Sequence, residues 1–358
     1  MDYYGYAGKI LYIDLSSGDV TEKPLDLDMA QKFIGGFGIN NRLAYDLVKP
    51  GSEALSPDNP IIIGVGPLCG TLTPACSKCT VTMKLPVPKA EAKPKYQVAT
   101  AVGGNIRFGA MLKSAGYDNV VIVGKAKVPS YLKIVDGSVE ICDAGDLWGK
   151  ADVYETTDEL VRRHGGRSGA CGVWAIGEAG EKLIPFSLGF VDKIGHMGRY
   201  GGAVLGSKNL KAVVTLGSKG IRVADSKRFM ALVEETHKEI LSHPMAGKLL
   251  HGGGAVSEEY PEDLMAKTRV ARVACLGCTS GEIPCQLITG GRFNGQIWQG
   301  TWFGFASDFG RRLRLKDYRD TFKLLDMLNR AGIEALLIHR LFYLDTSLYV
   351  RGLISLED

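Results

Sequence analysis

The 358-residue chain has no uninterrupted apolar stretch approaching the roughly 18 residues of a membrane span, and its start, Met1-Asp2-Tyr3-Tyr4-Gly5, lacks a basic segment followed by an apolar one. It carries no block of one charge sign. The 43 Lys and Arg oppose 39 Asp and Glu, and the densest basic run, Arg311, Arg312, Arg314, Lys316 and Arg319, is answered by Asp317 and Asp320. A nucleic-acid footprint is therefore not expected. There is no Walker A sequence, and without a Gly-x-Ser-x-Gly the esterase-like His251-Gly252-Gly253-Gly254 has no nucleophile to serve. Gly64-Val65-Gly66-Pro67-Leu68-Cys69-Gly70 fails as a dinucleotide loop, because its third glycine is one position late and Pro67 is misplaced for a helix start. These absences lead to the expectation of a soluble cytoplasmic protein with no membrane or nucleic-acid partner.

What is present is an ordinary globular composition, 45% apolar and 23% charged, far from that of a disordered chain. Glycine is in excess, 46 residues against a usual share of about 7%, and it gathers in short loops where backbone can approach another group closely. Eight cysteines fall at 69, 76, 79, 142, 171, 275, 278 and 285. Without a secretory signal a disulfide framework is not expected, and paired spacings point to metal.

The fold class expected is α+β: a sheet-built domain over residues 1–214 followed by a mainly α-helical one over 215–358. Lys9 to Leu15 and Val20 to Lys23 flank Ser16-Ser17-Gly18-Asp19 as a hairpin, and Tyr131 to Val135 and Ser138 to Cys142 flank Asp136-Gly137, a type I′ signature. Pro60 to Val65, Asn119 to Val123 and Ala212 to Leu216 read as buried strands, and Asp152 to Arg163 as a helix. Beyond Val223 the period changes. Asp225 caps a helix with apolar Phe229, Val233 and Ile240 that Pro244 stops; Phe322, Leu325 and Leu328 lie on another that breaks at Gly332; a third spans about Ala335 to Tyr349.

Cys275-Leu276-Gly277-Cys278, followed by Cys285, is the sharpest chemical signal, since a C-x-x-C turn lets two thiolates converge on one soft metal centre. Three thiolates leave such a site one ligand short, so a fourth must come from elsewhere in this chain or from another. Cys76-Ser77-Lys78-Cys79 is a second C-x-x-C that could in principle complete a Cys₄ site, although nearly two hundred residues separate the pairs. Gly103-Gly104-Asn105-Ile106-Arg107-Phe108-Gly109, opening a helix from about Ala110, joins exposed backbone N–H groups to an amide and a guanidinium, an arrangement suited to anions. Gly195-His196-Met197-Gly198-Arg199-Tyr200-Gly201-Gly202 has similar content. There His196 and Arg199 are candidate phosphate donors, and a hydrogen-bonded turn histidine is the other reading of His196.

Six ordered segments carry a resemblance: residues 8–19 (GKILYIDLSSGD), 33–36 (FIGG), 66–71 (GPLCGT), 112–118 (LKSAGYD), 176–181 (IGEAGE) and 202–212 (GAVLGSKNLKA). In that order they resemble the tungsten-containing aldehyde ferredoxin oxidoreductase family, closely over about residues 5–220 and more loosely to Gly352-Leu353-Ile354. The resemblance implies a sheet-built base for tungsten, or less often molybdenum, held by two pyranopterins, with Mg²⁺ bridging their phosphates and a [4Fe–4S] cluster nearby. Similar enzymes oxidise an aldehyde to a carboxylic acid and pass the electrons to ferredoxin. By position, Lys78 matches a family arginine between pterin and cluster, keeping the charge and losing the bidentate fork. Gly103 and Gly104 match the phosphate and magnesium loop, with Asn105 near the family's asparagine across a two-residue length difference. Gly198, Arg199, Gly201 and Gly202 match another cofactor-facing segment. Asn329-Arg330-Ala331-Gly332-Ile333-Glu334 matches the first of two D-x-x-G-L-D/C pterin motifs, with Asn329 and Glu334 in place of aspartates and Gly332 retained.

The departures matter as much. The family's cluster motif is C-x-x-C-x-x-x-C, whereas six residues separate Cys278 from Cys285 here. Lys323-Leu324-Leu325-Asp326 stands where some members carry the E-x-x-H of an inter-subunit metal, so no such bridging metal is expected. The sequence ends at Ser355-Leu356-Glu357-Asp358, where members continue through a helical domain bearing the second pterin motif, the fourth cluster cysteine and much of the substrate pocket. The resemblance thus makes a missing C-terminal half, or a separate chain supplying it, a partner alongside ferredoxin and a small aldehyde. Two other readings are a divergent member acting on another low-potential substrate, such as an aromatic thioester reductase, and a non-catalytic partner subunit or remnant. No general acid or base is assigned.

Overall fold

The computed structural model describes residues 3–86, 96–103, 106–165, 170–244, 246, 262–279, 281, 283–299 and 303–355. Among them, β1 (Lys9–Asp14), β2 (Val20–Pro24), β3 (Ile61–Val65), β4 (Cys79–Pro86), β5 (Tyr96–Gly103) and β6 (Asn119–Val123) form one six-stranded sheet in the order β2-β1-β6-β3-β4-β5. β7 (Ser130–Val135), β8 (Ser138–Asp143), β9 (Gly172–Ile176), β10 (Gly189–Val191), β11 (Gly195–Met197) and β12 (Leu210–Leu216) form a second, ordered β11-β10-β9-β12-β7-β8. Both are mixed: β1 runs parallel to β6 and β7 to β12, the other ladders antiparallel. Both expected hairpins are present, and the β7–β8 turn carries Asp136 at φ 46° and Gly137 at φ 94°, as a type I′ turn requires.

β3 is buried along its whole length because both faces of its sheet are covered. On one face Ile10, Ile62 and Val121 pack with Ile39, Leu43 and Ala44 of α2 (Gly36–Leu47), which follows α1 (Leu27–Phe33). On the other, Leu11, Ile61, Ile63 and Val120 meet Leu132, Ile134, Trp174 and Val213 of the second sheet, with Phe108 and Leu112 of α3 (Phe108–Ala115) in the same core. The outer face of the second sheet, through Val173, Ala175 and Val214, packs on Leu160 of α4 (Val153–His164). Period-two alternation along β9 and β12 thus divides two cores. α5 (Glu178–Glu181) and α6 (Gly202–Ser207) complete this part.

After β12 come α7 (Ser226–Ser242), α8 (Glu262–Thr268), a three-stranded sheet of β13 (Arg269–Val273), β14 (Ile283–Leu287) and β15 (Ile297–Gln299), then α9 (Phe303–Arg312), α10 (Tyr318–Ala331) and α11 (Ala335–Val350). The expected helices stand where their caps put them: the Asp225 carboxylate accepts the Arg228 N–H at the start of α7, and Gly332, at φ 76°, ends α10 in the left-handed conformation. The small sheet is an addition to a region expected to be mainly helical. Its strands escape pattern reading because β13 is exposed or half-buried throughout and β14 contains Pro284, ordinarily a mark against a paired strand. No helix among the described residues is long and apolar enough to cross a membrane.

Candidate active site

The cleft of interest forms where β11 crosses the end of β5. Gly103, opposite Cys79 in the β4–β5 ladder, closes β5, and a β-carbon there would stand 1.8 Å from the His196 carbonyl oxygen. Only glycine lets the two backbones approach so closely. The β10–β11 hairpin turns through Asp192 and Lys193, at φ 48° and 70°. These non-glycine positive angles are held by the Asp192 carboxylate, which accepts N–H bonds from Val173 at 2.8 Å and Arg107 at 3.2 Å.

Beyond β11 the chain passes Gly198 (φ 73°), Arg199 and Tyr200 (φ 63°) to Gly201, which caps α6; the N–H of Gly202 then donates to the Ser187 carbonyl at 3.1 Å. Arg199 reaches across to Glu334, Nε to Oε2 at 3.2 Å and Nη2 to Oε1 at 3.3 Å, a two-pronged pair. The Glu334 side chain is 1% exposed and that of Arg199 48%, so the pair joins a sunken carboxylate to a guanidinium that faces the cleft.

Glu334 is delivered by the end of α10. The left-handed Gly332 turns the chain so that its carbonyl accepts the Leu188 N–H at 2.9 Å and Glu334 N–H reaches the Phe186 carbonyl at 3.0 Å, with Ser187 and Ile333 bridged between. The same motif is anchored from below. Buried Asn329 donates to Tyr154 Oη and the Gln299 carbonyl, both at 3.5 Å, while Arg330 pairs with Asp326 at 3.0 Å and Asp152 at 2.8 Å. Asp152 also caps α4 in a capping box with Glu155. One carboxylate therefore ties the helix start of the sheet-built part to the segment that presents Glu334.

The resulting cleft has a volume of about 340 Å³ and is lined by Gln97 and Thr100 of β5 with His196, Arg199, Tyr200 and Glu334. Burial pushes the His196 imidazole pKa down, and Arg199 pushes it further against the pull of Glu334, so the ring is held neutral at pH 7. It packs edge-on against Phe190 with centroids 4.8 Å apart.

Other sequence-selected residues lie elsewhere or in part outside view. Lys78 is exposed in the loop before β4. Gly104 and Asn105 lie outside the described residues. Cys275 and Cys278 share a turn closed by Cys278 N–H to the Cys275 carbonyl at 2.9 Å. Cys285 is 4% exposed in the middle of β14, opposite Ala271 on one side and Gln299 on the other. Among the described residues no three of His, Cys, Asp and Glu assemble into a group that could hold a metal ion, so Cys275, Cys278 and Cys285 are not gathered as a set.

Asp192, which positions the hairpin beside the cleft, is not selected by the sequence reading; its signal is a polar residue between two short apolar runs that end in the selected glycine loop. Burial raises its carboxyl pKa from 3.8 to about 6, against the Val173 N–H and the Arg107 charge and N–H. A carboxyl raised in the folded state favours folding fully only below its unfolded pKa near 4, and that contribution is lost as pH climbs through about 6. Asp192→Asn keeps an acceptor and removes the charge. The urea midpoint followed from pH 4 to 7 should fall less steeply for the variant than for the wild type; parallel curves would contradict this reading of the clamp.

Two stacked six-stranded sheets, with a helical segment that brings Glu334 to Arg199 beside β5, form a sheet-built base with a cleft at that pair. The profile described as "Aldehyde ferredoxin oxidoreductase, N-terminal domain" matches residues 10–217, and the chain belongs to this family. The tungsten-containing aldehyde ferredoxin oxidoreductase of Pyrococcus furiosus is 31% identical over 99% of this chain and 60% of its own length; that of Thermococcus kodakarensis is 36% identical over 68% of this chain and 39% of its own. The chain thus spans about 60% of the length of the curated relatives it matches most fully. The active-site complex BamBC of benzoyl coenzyme A reductase with 1,5-dienoyl-CoA shares the fold, with TM-score 0.80 and 22% identity over 99% of this chain and 57% of that one.

Proposed function

We propose that the chain is the cofactor-gripping front portion of a tungsten oxidoreductase that converts a small aldehyde to a carboxylic acid and passes electrons to ferredoxin, the remaining portion coming from further sequence or a separate chain. The observation that carries this reading is the Arg199–Glu334 pair in the cleft beside β5, in a family whose relatives are named tungsten-containing. The donor set fits a phosphorylated pterin. The half-exposed guanidinium offers N–H groups to a phosphate, and the sunken carboxylate accepts N–H groups from an aminopyrimidinone ring. Neutral His196 supplies one further donor at the wall without adding charge.

When bound, a tungsten or molybdenum pterin would supply two-electron redox chemistry for adding oxygen to a carbonyl carbon. Arg199 would hold such a group through its phosphate and Glu334 through its ring N–H groups, with the Ser187–Ile333 bridge holding the Glu334 segment in place. Mg²⁺ between pterin phosphates, at the loop that begins with Gly103, belongs to the same proposal. A [4Fe–4S] cluster on the set Cys275, Cys278 and Cys285 does not fit as it stands, because β14 holds Cys285 apart, and no step is derived through it.

Aldehyde-dependent reduction of a viologen dye by the tungsten-loaded, complete protein tests the reading. Turnover is expected, and Arg199→Ala should lower it by 10-fold or more through lost cofactor. Tungsten-loaded protein that ignores aldehydes and reduces an aromatic thioester would overturn the substrate assignment, and protein that takes up no pterin would support a non-catalytic subunit.

A further inference from the structure

We infer that Tyr154 is a positioning residue for the cleft: its ring sets the separation between the hairpin that carries His196 and the segment that carries Glu334, and so how tightly the cleft holds a pterin; this rests on the reading of the cleft given above. Tyr154 lies in the first turn of α4, 6% exposed, in one buried cluster with Val153, Leu188 and Phe190. From there it meets both sides of the cleft. Phe190 belongs to β10 and packs edge-on against the His196 ring, so the tyrosine backs the His196 wall through one intervening side chain. Leu188, in the same cluster, gives its N–H to the Gly332 carbonyl at the turn that delivers Glu334. The Tyr154 hydroxyl accepts the Asn329 amide N–H from the end of α10.

Two cations close the arrangement, one from each side. The Arg330 guanidinium, four residues before Glu334, stands 4.6 Å from the centroid of the Tyr154 ring, and the Lys193 ammonium of the β10–β11 turn stands 6.0 Å from it. Both are within reach of a cation–π attraction, which an aliphatic side chain cannot supply. Each cation is also held at α4 by a carboxylate: Arg330 by Asp152, which caps the helix, and Lys193 by Asp158, four residues beyond Tyr154 and so on the same helix face. Asp152, Tyr154 and Asp158 together therefore take Arg330 from the Glu334 side and Lys193 from the His196 side.

Tyr154 is not among the residues that line the cleft, so its effect is on spacing and not on contact. Burial raises the phenol pKa above its ordinary value, which keeps the hydroxyl neutral and adds no charge between the two cations. A smaller apolar side chain would let Phe190 and Arg330 shift toward each other. Water would then reach His196, and Glu334 would no longer meet Arg199 at one fixed distance.

The test uses the complete protein matured without oxygen, with Tyr154→Phe, Tyr154→Met and Tyr154→Leu variants. Pterin retained per chain after gel filtration is compared with the urea midpoint, and the His196 imidazole is titrated by NMR in histidine-labelled protein, with His196→Gln assigning its resonance. The charges that face the ring, Glu334 and Arg199, are unchanged in all three variants. Tyr154→Phe keeps the ring and both cations, so retention within about twofold of wild type and an unchanged His196 midpoint are expected. Tyr154→Met and Tyr154→Leu lose the ring; once folded they should retain roughly fivefold less pterin, with the His196 midpoint raised toward the ordinary value near 6.5. Methionine is the more adaptable filler, and one folded variant of the two suffices. Wild-type retention and titration in a folded Met or Leu variant would overturn the inference, as would Tyr154→Phe losing as much as they do, which would assign the role to the hydroxyl. A wild type that holds no pterin would overturn the reading of the cleft, and the His196 titration, which needs no pterin, would still decide whether Tyr154 sets the wall.

Discussion

Lys113→Met is expected to remove about 3–5 kcal/mol of folding stability, the cost of leaving a buried charge without its partner. Lys113 and Asp118 are both 0% exposed in their side chains, with Nζ 3.1 Å from Oδ1. Nζ also donates to the Gly66 carbonyl at 2.8 Å, while Asp118 accepts the N–H groups of Ala7 and Gly8 at 3.1 and 2.6 Å. The pair therefore ties α3, the N-terminal segment and the loop after β3 at one point. Methionine matches the length of the lysine stem, so little packing is lost and the measured change isolates the charge. Urea unfolding at pH 7 should show a lower midpoint with an unchanged slope, and adding Asp118→Asn should restore part of the loss, since the two sites are coupled. A loss below about 1 kcal/mol would mean that water reaches the pair.

Gly103→Ala is expected to cost about 3 kcal/mol, at the upper end of overpacking, and to abolish pterin retention. The added carbon would sit 1.8 Å from a backbone oxygen and 2.8 Å from Met197 Cα, and a backbone oxygen cannot be relieved by a rotamer change. β11 would have to lift from β5, and Arg199 and the cleft wall move with it. Gly66→Ala is the control, because a β-carbon there meets nothing within 4 Å. Unfolding midpoints and pterin content of both variants, measured side by side, check the claim; equal behaviour would show that the close approach is dispensable.

Local signals were the legible part of this fold. The two hairpins, the Asp136-Gly137 turn, the Asp225 cap and the Gly332 stop are each written in neighbouring residues and need no distant partner. β4, β5 and β9 are not among the strands read from sequence; for β4, where Cys79-Thr80-Val81-Thr82-Met83 alternates plainly, the C-x-x-C pair draws the segment toward a metal reading. At the site, Arg199 is legible from the content of its glycine-rich segment, Gly332 as a helix stop, and Glu334 from family likeness alone. Their meeting depends on the bridge between Ser187 and Ile333, a pairing across nearly 150 residues that no spacing rule anticipates. The segment at 112–118 was likewise legible only as likeness. That Lys113 and Asp118 neutralise each other out of water is a fact of packing, since charged residues five apart are ordinarily solvated. Cysteine spacing has the same limit: it shows which thiols are near in sequence, not that Cys285 is pinned in a strand.

The central claim is that the cleft between β5 and the Arg199–Glu334 pair grips a phosphorylated pterin. It is tested most directly by pterin and tungsten content per chain in complete protein matured without oxygen, for the wild type and for Arg199→Ala with its unfolding midpoint verified. The account predicts both components in the folded wild type and their loss, at least tenfold, in the folded variant. Folded wild type containing neither, or a variant that retains both in full, would contradict it.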